Sequence, residues 1–277
     1  MTNLKQRAIT GLLFAAIVVS CVWANQWTLL LLVASILVLG ILEFYRLMGQ
    51  AGFAPQKRFG LAISLLFCAL VYFVVNGHLS ASAFTVLLPF LFSIFILELY
   101  RKRDHPFINI AITITGIIYL AVPMALLMVM AFLPHHGEGH SYHGGLLLGC
   151  ILNIWANDTG AYFIGTRFGK NRLFERVSPK KSWEGFFGGL FFSLAAAWLN
   201  LELFGQVVLR DWLVIALIMS VVGTLGDLVE SLLKRSIDIK DSGSFFPGHG
   251  GILDRFDAWL IAFPFVCCYL WLVGHFG

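Results

Sequence analysis

The chain has 277 residues, of which 59% are hydrophobic and only 12% charged, and its mean hydropathy is +0.84. That is more apolar surface than a soluble domain can hide. The net charge of +4 could suggest a nucleic-acid partner, but the topology that the apolar runs imply sets that charge against anionic headgroups and leaves it available for phosphates; no hydrophilic stretch approaches the ~50 residues of a small soluble domain, so any chemistry has to occur within a bundle or in its short loops.

Apolar runs lie near residues 8–24, 27–47, 59–76, 81–99, 108–132, 144–165, 184–204, 211–231 and 256–275. Each approaches the ~20 residues that cross a hydrocarbon core of roughly 30 Å. The fold class is therefore all-α, a polytopic membrane bundle of about nine transmembrane helices. The fifth run is long, opens on the β-branched stretch from Ile110 to Ile114 and contains Pro123, so its first part could instead be interfacial.

With nine spans, 18 of the 19 Lys and Arg residues fall on the side of the N-terminus, and Arg210 alone falls on the other. The positive-inside rule makes the crowded side cytoplasmic. The first run, preceded by Lys5 and Arg7, resembles a signal peptide, but Ala24-Asn25-Gln26 is a poor cleavage site and another span follows at once, so it reads as a retained helix. The five cysteines, Cys21, Cys68, Cys150, Cys267 and Cys268, lie within apolar runs without metal-type spacing and read as small hydrophobes.

The two halves differ in character. Residues 1–105, with few ionisable groups away from the helix ends, read as a four-helix scaffold, and residues 106–277 as the catalytic membrane region. In the latter, Asp158 sits well inside the sixth span, and Asp227 and Glu230 near the cytoplasmic end of the eighth. An aspartate at membrane depth costs about 2.5–3.5 kcal/mol on insertion scales, so each should face water, a cation or a basic partner. Asp158 could alternatively bond to Asn153, Asn157 or Thr159 as a packing group, and Glu230 with Lys234 could form a solvated ion pair.

The loop before the seventh span is basic. Its run Ser178-Pro179-Lys180-Lys181-Ser182, ahead of Trp183-Glu184-Gly185, combines hydroxyls, ammonium groups and a helix N-terminus, which together suit phosphate. Gly185, Gly188 and Gly189 would let another helix approach closely. The external loop with His135, His136, His140 and His143 fits no specific metal geometry and lies on the opposite face.

Residues 231–257, SLLKRSIDIKDSGSFFPGHGGILDRFD, carry the densest chemistry. Lys234 and Arg235 close the eighth span at headgroup depth. Lys240 and Asp241 begin a turn-rich loop, and the glycines around His249 let the backbone fold tightly. Asp254 and Asp257 stand three apart, on one helical face, with Arg255 beside them. Hard carboxylate oxygens suit Mg²⁺, and flanking cations suit the phosphates it would bring, so the segment has the make-up of a nucleotidyl-transfer site.

Ser231, Lys234-Arg235, Lys240-Asp241, Pro247, His249-Gly250-Gly251, Asp254-Arg255 and Asp257 stand at the spacing of the phosphatidate cytidylyltransferase (CDP-diacylglycerol synthase) signature. NDTGAYFIG, SPKKSWEG and GDLVES upstream also resemble that family, so the likeness runs from about residue 150 to 257, while the first four spans share only hydropathy and topology. The resemblance implies transfer of CMP from CTP to phosphatidic acid, giving CDP-diacylglycerol and pyrophosphate. It implies Mg²⁺, accompanied by a monovalent ion such as K⁺, held by Asp227 and Asp254, with Asp241 and Asp257 as additional or supporting ligands. It also implies the inner (plasma) membrane of a bacterial cell, with the site on the cytoplasmic side.

On that basis Ser178, Lys180, Lys181, Lys234, Arg235, Lys240 and Arg255 are expected to bind the phosphates of CTP and lipid, and His249 to donate to a phosphate or to the departing pyrophosphate. CTP, phosphatidic acid and membrane lipids are the expected partners, and the glycine-rich spans are compatible with a homodimer. CDP-alcohol phosphotransferases carry a DGxxAR…GxxxDxxxD arrangement that is missing here. A polyprenol kinase remains an alternative enzyme. A cation-coupled transporter would show inverted repeats, whereas here the ionisable groups crowd at one end.

Overall fold

The computed structural model describes residues 3–133, 142–239, 242–243 and 250–275. Among these, nine continuous helical segments follow one another: α1 (Asn3–Ala24), α2 (Gln26–Gln50), α3 (Lys57–Val75), α4 (Ala81–Arg101), α5 (Pro106–Ala131), α6 (Gly145–Phe168), α7 (Trp183–Phe204), α8 (Leu209–Ser236) and α9 (Leu253–Leu272). They match the nine apolar runs. Seven are long and apolar enough to cross a membrane; the described apolar part of α1, Ile9–Ala24, is shorter, and α6 carries Asn153, Asn157, Asp158 and Arg167 within its length. The chain is a multi-pass, all-α membrane protein.

One small departure lies between α6 and α7. Arg172–Phe174 (β1) pairs antiparallel with Ser178–Ser182 (β2), so the basic loop is a hairpin feeding α7. It contains too few apolar positions to announce a strand by alternation.

The chain divides into two compact units: residues 1–132 with 241–255, and residues 133–240 with 256–277. The division falls within the first turn of α9.

In the first unit, Asn25 links α1 to α2 as an N-cap whose Oδ1 accepts from the amides of Trp27 (2.9 Å) and Thr28 (3.1 Å), while Thr28 Oγ1 accepts from the Asn25 amide. Tyr45 of α2 is buried as a wedge. Its hydroxyl donates to the Thr113 carbonyl at 2.7 Å, and a Cβ at Gly116 would lie 2.5 Å from its ring. Immediately after Gly116, Ile117–Ala121 form one π turn of α5. Pro123 accounts for it: the ring lacks a donor and would crowd the carbonyl of Tyr119, so the helix widens there and continues. The fifth apolar run is thus one helix.

A polar network closes the same unit. Buried Glu98 accepts from Gln56 Nε2 (2.7 Å), Arg101 (2.7 Å) and Asn109 Nδ2 (3.1 Å), and Asn109 Oδ1 accepts from the Ala54 amide (2.8 Å). The α2–α3 connection is therefore bonded to α4 and α5.

The second unit is organised on small residues. A Cβ at Gly188 would lie 2.5 Å from Ile164 Cβ, and one at Gly189 2.6 Å from Asn157 Oδ1, so α6 rests on the glycine face of α7. Asn157 also accepts a short hydrogen bond from Ser220 of α8, and Asn200 donates to the Gly149 carbonyl at 3.0 Å. Such side-chain bonds join helices where apolar burial alone gives no preference over lipid.

Candidate active site

In the second unit, β2 delivers the SPKKS run directly to α7. Ser182 is the N-cap, its Oγ accepting from the Gly185 amide at 3.2 Å, and Glu184 accepts from the amides of Lys170 (3.1 Å) and Asn171 (3.1 Å) and from Asn171 Nδ2 (2.7 Å). These bonds fix the hairpin against the helix start. Strand geometry then sends successive side chains to opposite faces. Lys180 is exposed, whereas Lys181 turns to α8 and places Nζ 2.6 Å from Asp227 Oδ2. Ser178, at the start of β2, is half-buried.

Asp227 is also approached by Ser231 Oγ, one turn on, at 3.3 Å. Glu230, just before Ser231, is buried, with Lys234 Nζ 2.5 Å from its Oε2. This is a buried ion pair, not the solvated one that sequence spacing allows. Arg235 is exposed and donates to the Ile239 carbonyl at 3.2 Å, closing the C-terminal end of α8.

Asp257 of α9 stands against this face. A Cβ at Gly226 would lie 2.7 Å from the Asp257 carbonyl oxygen, so only glycine allows the two backbones this close. Asp257 Oδ1 accepts the Ala258 amide at 2.7 Å. Asp158, on α6, is exposed in the protein surface. Asp227 and Glu230 of α8, each with a close lysine, Lys181 and Lys234, therefore lie on the helix that meets the start of α9.

In the first unit, Asp254 Oδ2 accepts from the Gly251 amide (2.9 Å), the Ser242 amide (3.2 Å) and Ser242 Oγ (2.9 Å). Glu43 completes this arrangement. Buried within α2, it accepts the amides of Ile252 (2.9 Å) and Leu253 (3.2 Å) at the start of α9, and a short bond from Ser242 Oγ. Arg46, one turn on, donates to the Ser242 carbonyl at 3.1 Å. An unsatisfied helix N-terminus is thus capped by a carboxylate from a distant helix.

The glycines of the HGG motif acquire a definite reason. Gly250 has φ +83°, and a Cβ there would lie 2.3 Å from Asp254 Oδ2; a Cβ at Gly251 would lie 2.0 Å from Glu43 Oε1. The tight turn makes room for the protein's own two carboxylates.

Asp227, Lys181, Lys234, Arg235, Ser178, Lys180 and Asp257 belong to the second unit, and Asp254 and Arg255 to the first. His249, Lys240 and Asp241 lie outside the described residues, as do His135, His136 and His140. Glu43 was not singled out from sequence, although a carboxylate inside an apolar run, three residues before Arg46, is the signal that would have found it.

Among the described residues, no three His, Cys, Asp or Glu side chains are gathered so as to hold a metal unaided. Mg²⁺ does not require three, since it usually takes one or two protein carboxylates and completes its shell with water and substrate phosphate. Asp227 and Asp257, on two helices that meet at Gly226, are the candidates for such a pair.

Comparison with known proteins agrees with this chemistry. A profile of the Cytidylyltransferase family matches residues 5–273. The phosphatidate cytidylyltransferase of Bacillus subtilis (strain 168) is 32% identical over 273 residues, covering 96% of this chain and 97% of that protein. Those of Staphylococcus epidermidis (strain ATCC 12228 / FDA PCI 1200) and Staphylococcus aureus (strain COL) are 38% and 39% identical over 165 residues, covering 59% of this chain and 60% of each relative. The chain belongs to the cytidylyltransferase family.

Proposed function

We propose that this protein transfers CMP from CTP to phosphatidic acid, releasing pyrophosphate and leaving CDP-diacylglycerol in the membrane. A phosphate monoester oxygen of the lipid attacks the α-phosphorus of CTP, and the bond from that phosphorus to the β-phosphate oxygen breaks. The lipid phosphate is already nucleophilic near neutral pH, so no side chain need act as general base. The protein has to align the two substrates and offset the charge of four phosphates.

The observation that carries the reading is the meeting of Lys181 with Asp227 at 2.6 Å, beside Asp257. It brings a basic strand leading into a helix N-terminus against a carboxylate cluster, the combination that a metal-bound triphosphate needs. Mg²⁺ held there would supply positive charge to the phosphates of CTP. We assign Asp227 and Asp257 to it because the helix carrying Asp227 meets the Asp257 backbone at Gly226; Asp254 and Asp241, and a companion K⁺, rest on the resemblance of the signature. Lys180, Lys181, Lys234, Arg235, Arg255 and Lys240 would hold phosphate oxygens, Ser178 would contribute a hydroxyl at the start of the strand, and His249 would donate a hydrogen bond.

The cationic bias of the loops, 18 of 19 Lys and Arg on one side in the nine-span topology, supports a plasma-membrane protein with this site facing the cytoplasm, where CTP is available. The test is purified protein in detergent with labelled CTP, phosphatidic acid and a titration of Mg²⁺. Labelled CDP-diacylglycerol that requires all three supports the reading; none formed across lipids and detergents overturns it, and turnover undiminished by chelator removes the metal assignment. Cross-linking across a range of protein concentrations tests the homodimer.

A further inference from the structure

In the first unit, the ends of two membrane-length helices border an open cavity of about 660 Å³. That lies within the range of roughly 300–1,000 Å³ of small-molecule sites. The connection Phe53 to Gln56, the first turn of α3 and the last turn of α4 form its walls, with Arg103 just beyond α4. None of these residues has a role in the nucleotidyl-transfer chemistry above.

The lining is amphipathic. Four cations, Lys57, Arg58, Arg101 and Arg103, stand among Phe53, Pro55, Phe59, Leu97 and Tyr100. Glu98 bonds Arg101 at 2.7 Å and offsets one of the four, and Asp104 adjoins Arg103 in the chain. The cavity still keeps a cationic excess, to which the N-terminal end of α3 adds partial positive charge. An anion is favoured, and the apolar walls favour one attached to hydrocarbon.

A second observation narrows the class. Gln56 lines the cavity and is only 6% exposed. Its Nε2 donates to Glu98 and to the Ile94 carbonyl, while its Oε1 is buried with no hydrogen-bond partner among the described residues. A buried acceptor without a donor costs about 1–3 kcal/mol. A ligand carrying a hydroxyl or ammonium group beside its phosphate would satisfy it once the Phe53 to Gln56 connection yields enough to uncover the atom, which is otherwise sealed from the cavity.

We propose that this cavity binds the headgroup of an anionic glycerophospholipid, its phosphate between Arg58 and Arg103 and a headgroup donor on Gln56. The same phosphate chemistry exists in free inorganic phosphate, but that anion has no use for the aromatic and aliphatic walls. The position at two membrane-helix ends is where a lipid headgroup would lie. The inference does not depend on the transferase reading.

Native mass spectrometry of the detergent-solubilised full chain tests it without CTP. Phosphatidylglycerol, phosphatidylcholine and phosphatidylmethanol of matched acyl chains are compared on wild type and on R58Q/R103Q, with inorganic phosphate as competitor. Wild type should retain phosphatidylglycerol over phosphatidylcholine, and over phosphatidylmethanol, which lacks the hydroxyl, by about fivefold. Losing two interfacial cations should weaken phosphatidylglycerol binding roughly thirtyfold, with phosphatidylcholine unchanged. Both arginines are exposed, so the variant should fold, which CDP-diacylglycerol synthesis in micelles would report. Equal retention of the anionic lipid by wild type and variant, no preference over phosphatidylcholine in wild type, or displacement by inorganic phosphate at matched concentration would each overturn the proposal.

Discussion

The ammonium of Lys181 lies 2.6 Å from Asp227 Oδ2, joining the last lysine of β2 to the first carboxylate of the GDLVES segment. Both side chains are partly exposed, so as a surface ion pair it would contribute about 0–1 kcal/mol to stability. Its value is positional, since it holds an ammonium group where phosphate must arrive and a carboxylate where a cation would sit.

Asp227→Asn is therefore expected to abolish turnover while leaving the protein monodisperse on size exclusion. Lys181→Ala should raise the KM for CTP and lower kcat by about 10²-fold, the scale of losing one oriented charge from a transition state, and Lys181→Arg should recover part of this. Steady-state kinetics with varied CTP separates the two effects. An Asp227→Asn enzyme with near-normal rate and unaltered Mg²⁺ dependence would refute the metal assignment.

Asp254 has a different surrounding. Its Oδ2 takes two amides and a hydroxyl from the turn it faces. Asp254→Asn removes the charge while leaving one oxygen to take those three bonds, so turnover should be lost with the turn kept, whereas Asp254→Ala should lose turnover and loosen the turn together. Hydrogen exchange at the Gly251 amide reads the second effect. His249→Ala should cost less than either aspartate change, and an equal loss would make the histidine essential.

Much of the fold was legible because each apolar run is long enough to cross a membrane, and length survives any detail of packing. The grouping of Asp227, Lys181 and Asp257 was legible only as composition. Sequence spacing set Lys180 and Lys181 side by side as candidate phosphate ligands but did not show the strand that turns Lys181 toward Asp227, because the hairpin is built from residues with little strand signal. The role of Glu43 was hidden for another reason, although its place inside an apolar run marks it. Helix α2 reads as a scaffold span, and the groups its carboxylate serves are backbone amides some 200 residues away in sequence, which no side-chain pattern reveals.

Glu43 supplies a prediction on stability. Glu43→Ala leaves the buried amides of Ile252 and Leu253 without their acceptor, at about 1–3 kcal/mol each. The variant should show faster exchange than wild type at those two amides and at the Gly251 amide. Gly251→Ala, whose Cβ would fall 2.0 Å from Glu43 Oε1, should reproduce the same signature with Glu43 intact. Wild-type protection in both variants would show that the carboxylate does not hold this turn.

Two glycines on α8 provide a matched pair. A Cβ at Gly223 would meet Ala258 Cβ at 3.5 Å, an ordinary contact, whereas one at Gly226 would lie 2.7 Å from the Asp257 carbonyl oxygen and 3.2 Å from Ala258 Cα. Backbone cannot yield as a side chain can, so Gly226→Ala must push α9 away from α8 and carry Asp257 from Asp227. Gly223→Ala should hold or raise the thermal midpoint, because alanine is favoured over glycine in a helix by about 1 kcal/mol, and should keep full activity. Gly226→Ala should lower the midpoint and remove at least about 90% of CDP-diacylglycerol synthesis, since a displacement near 1 Å at a reacting site can cost 10²-fold. Thermal unfolding and turnover measured on the two variants side by side decide it. Equal behaviour would mean that the close approach of α8 to α9 does not set the carboxylate geometry.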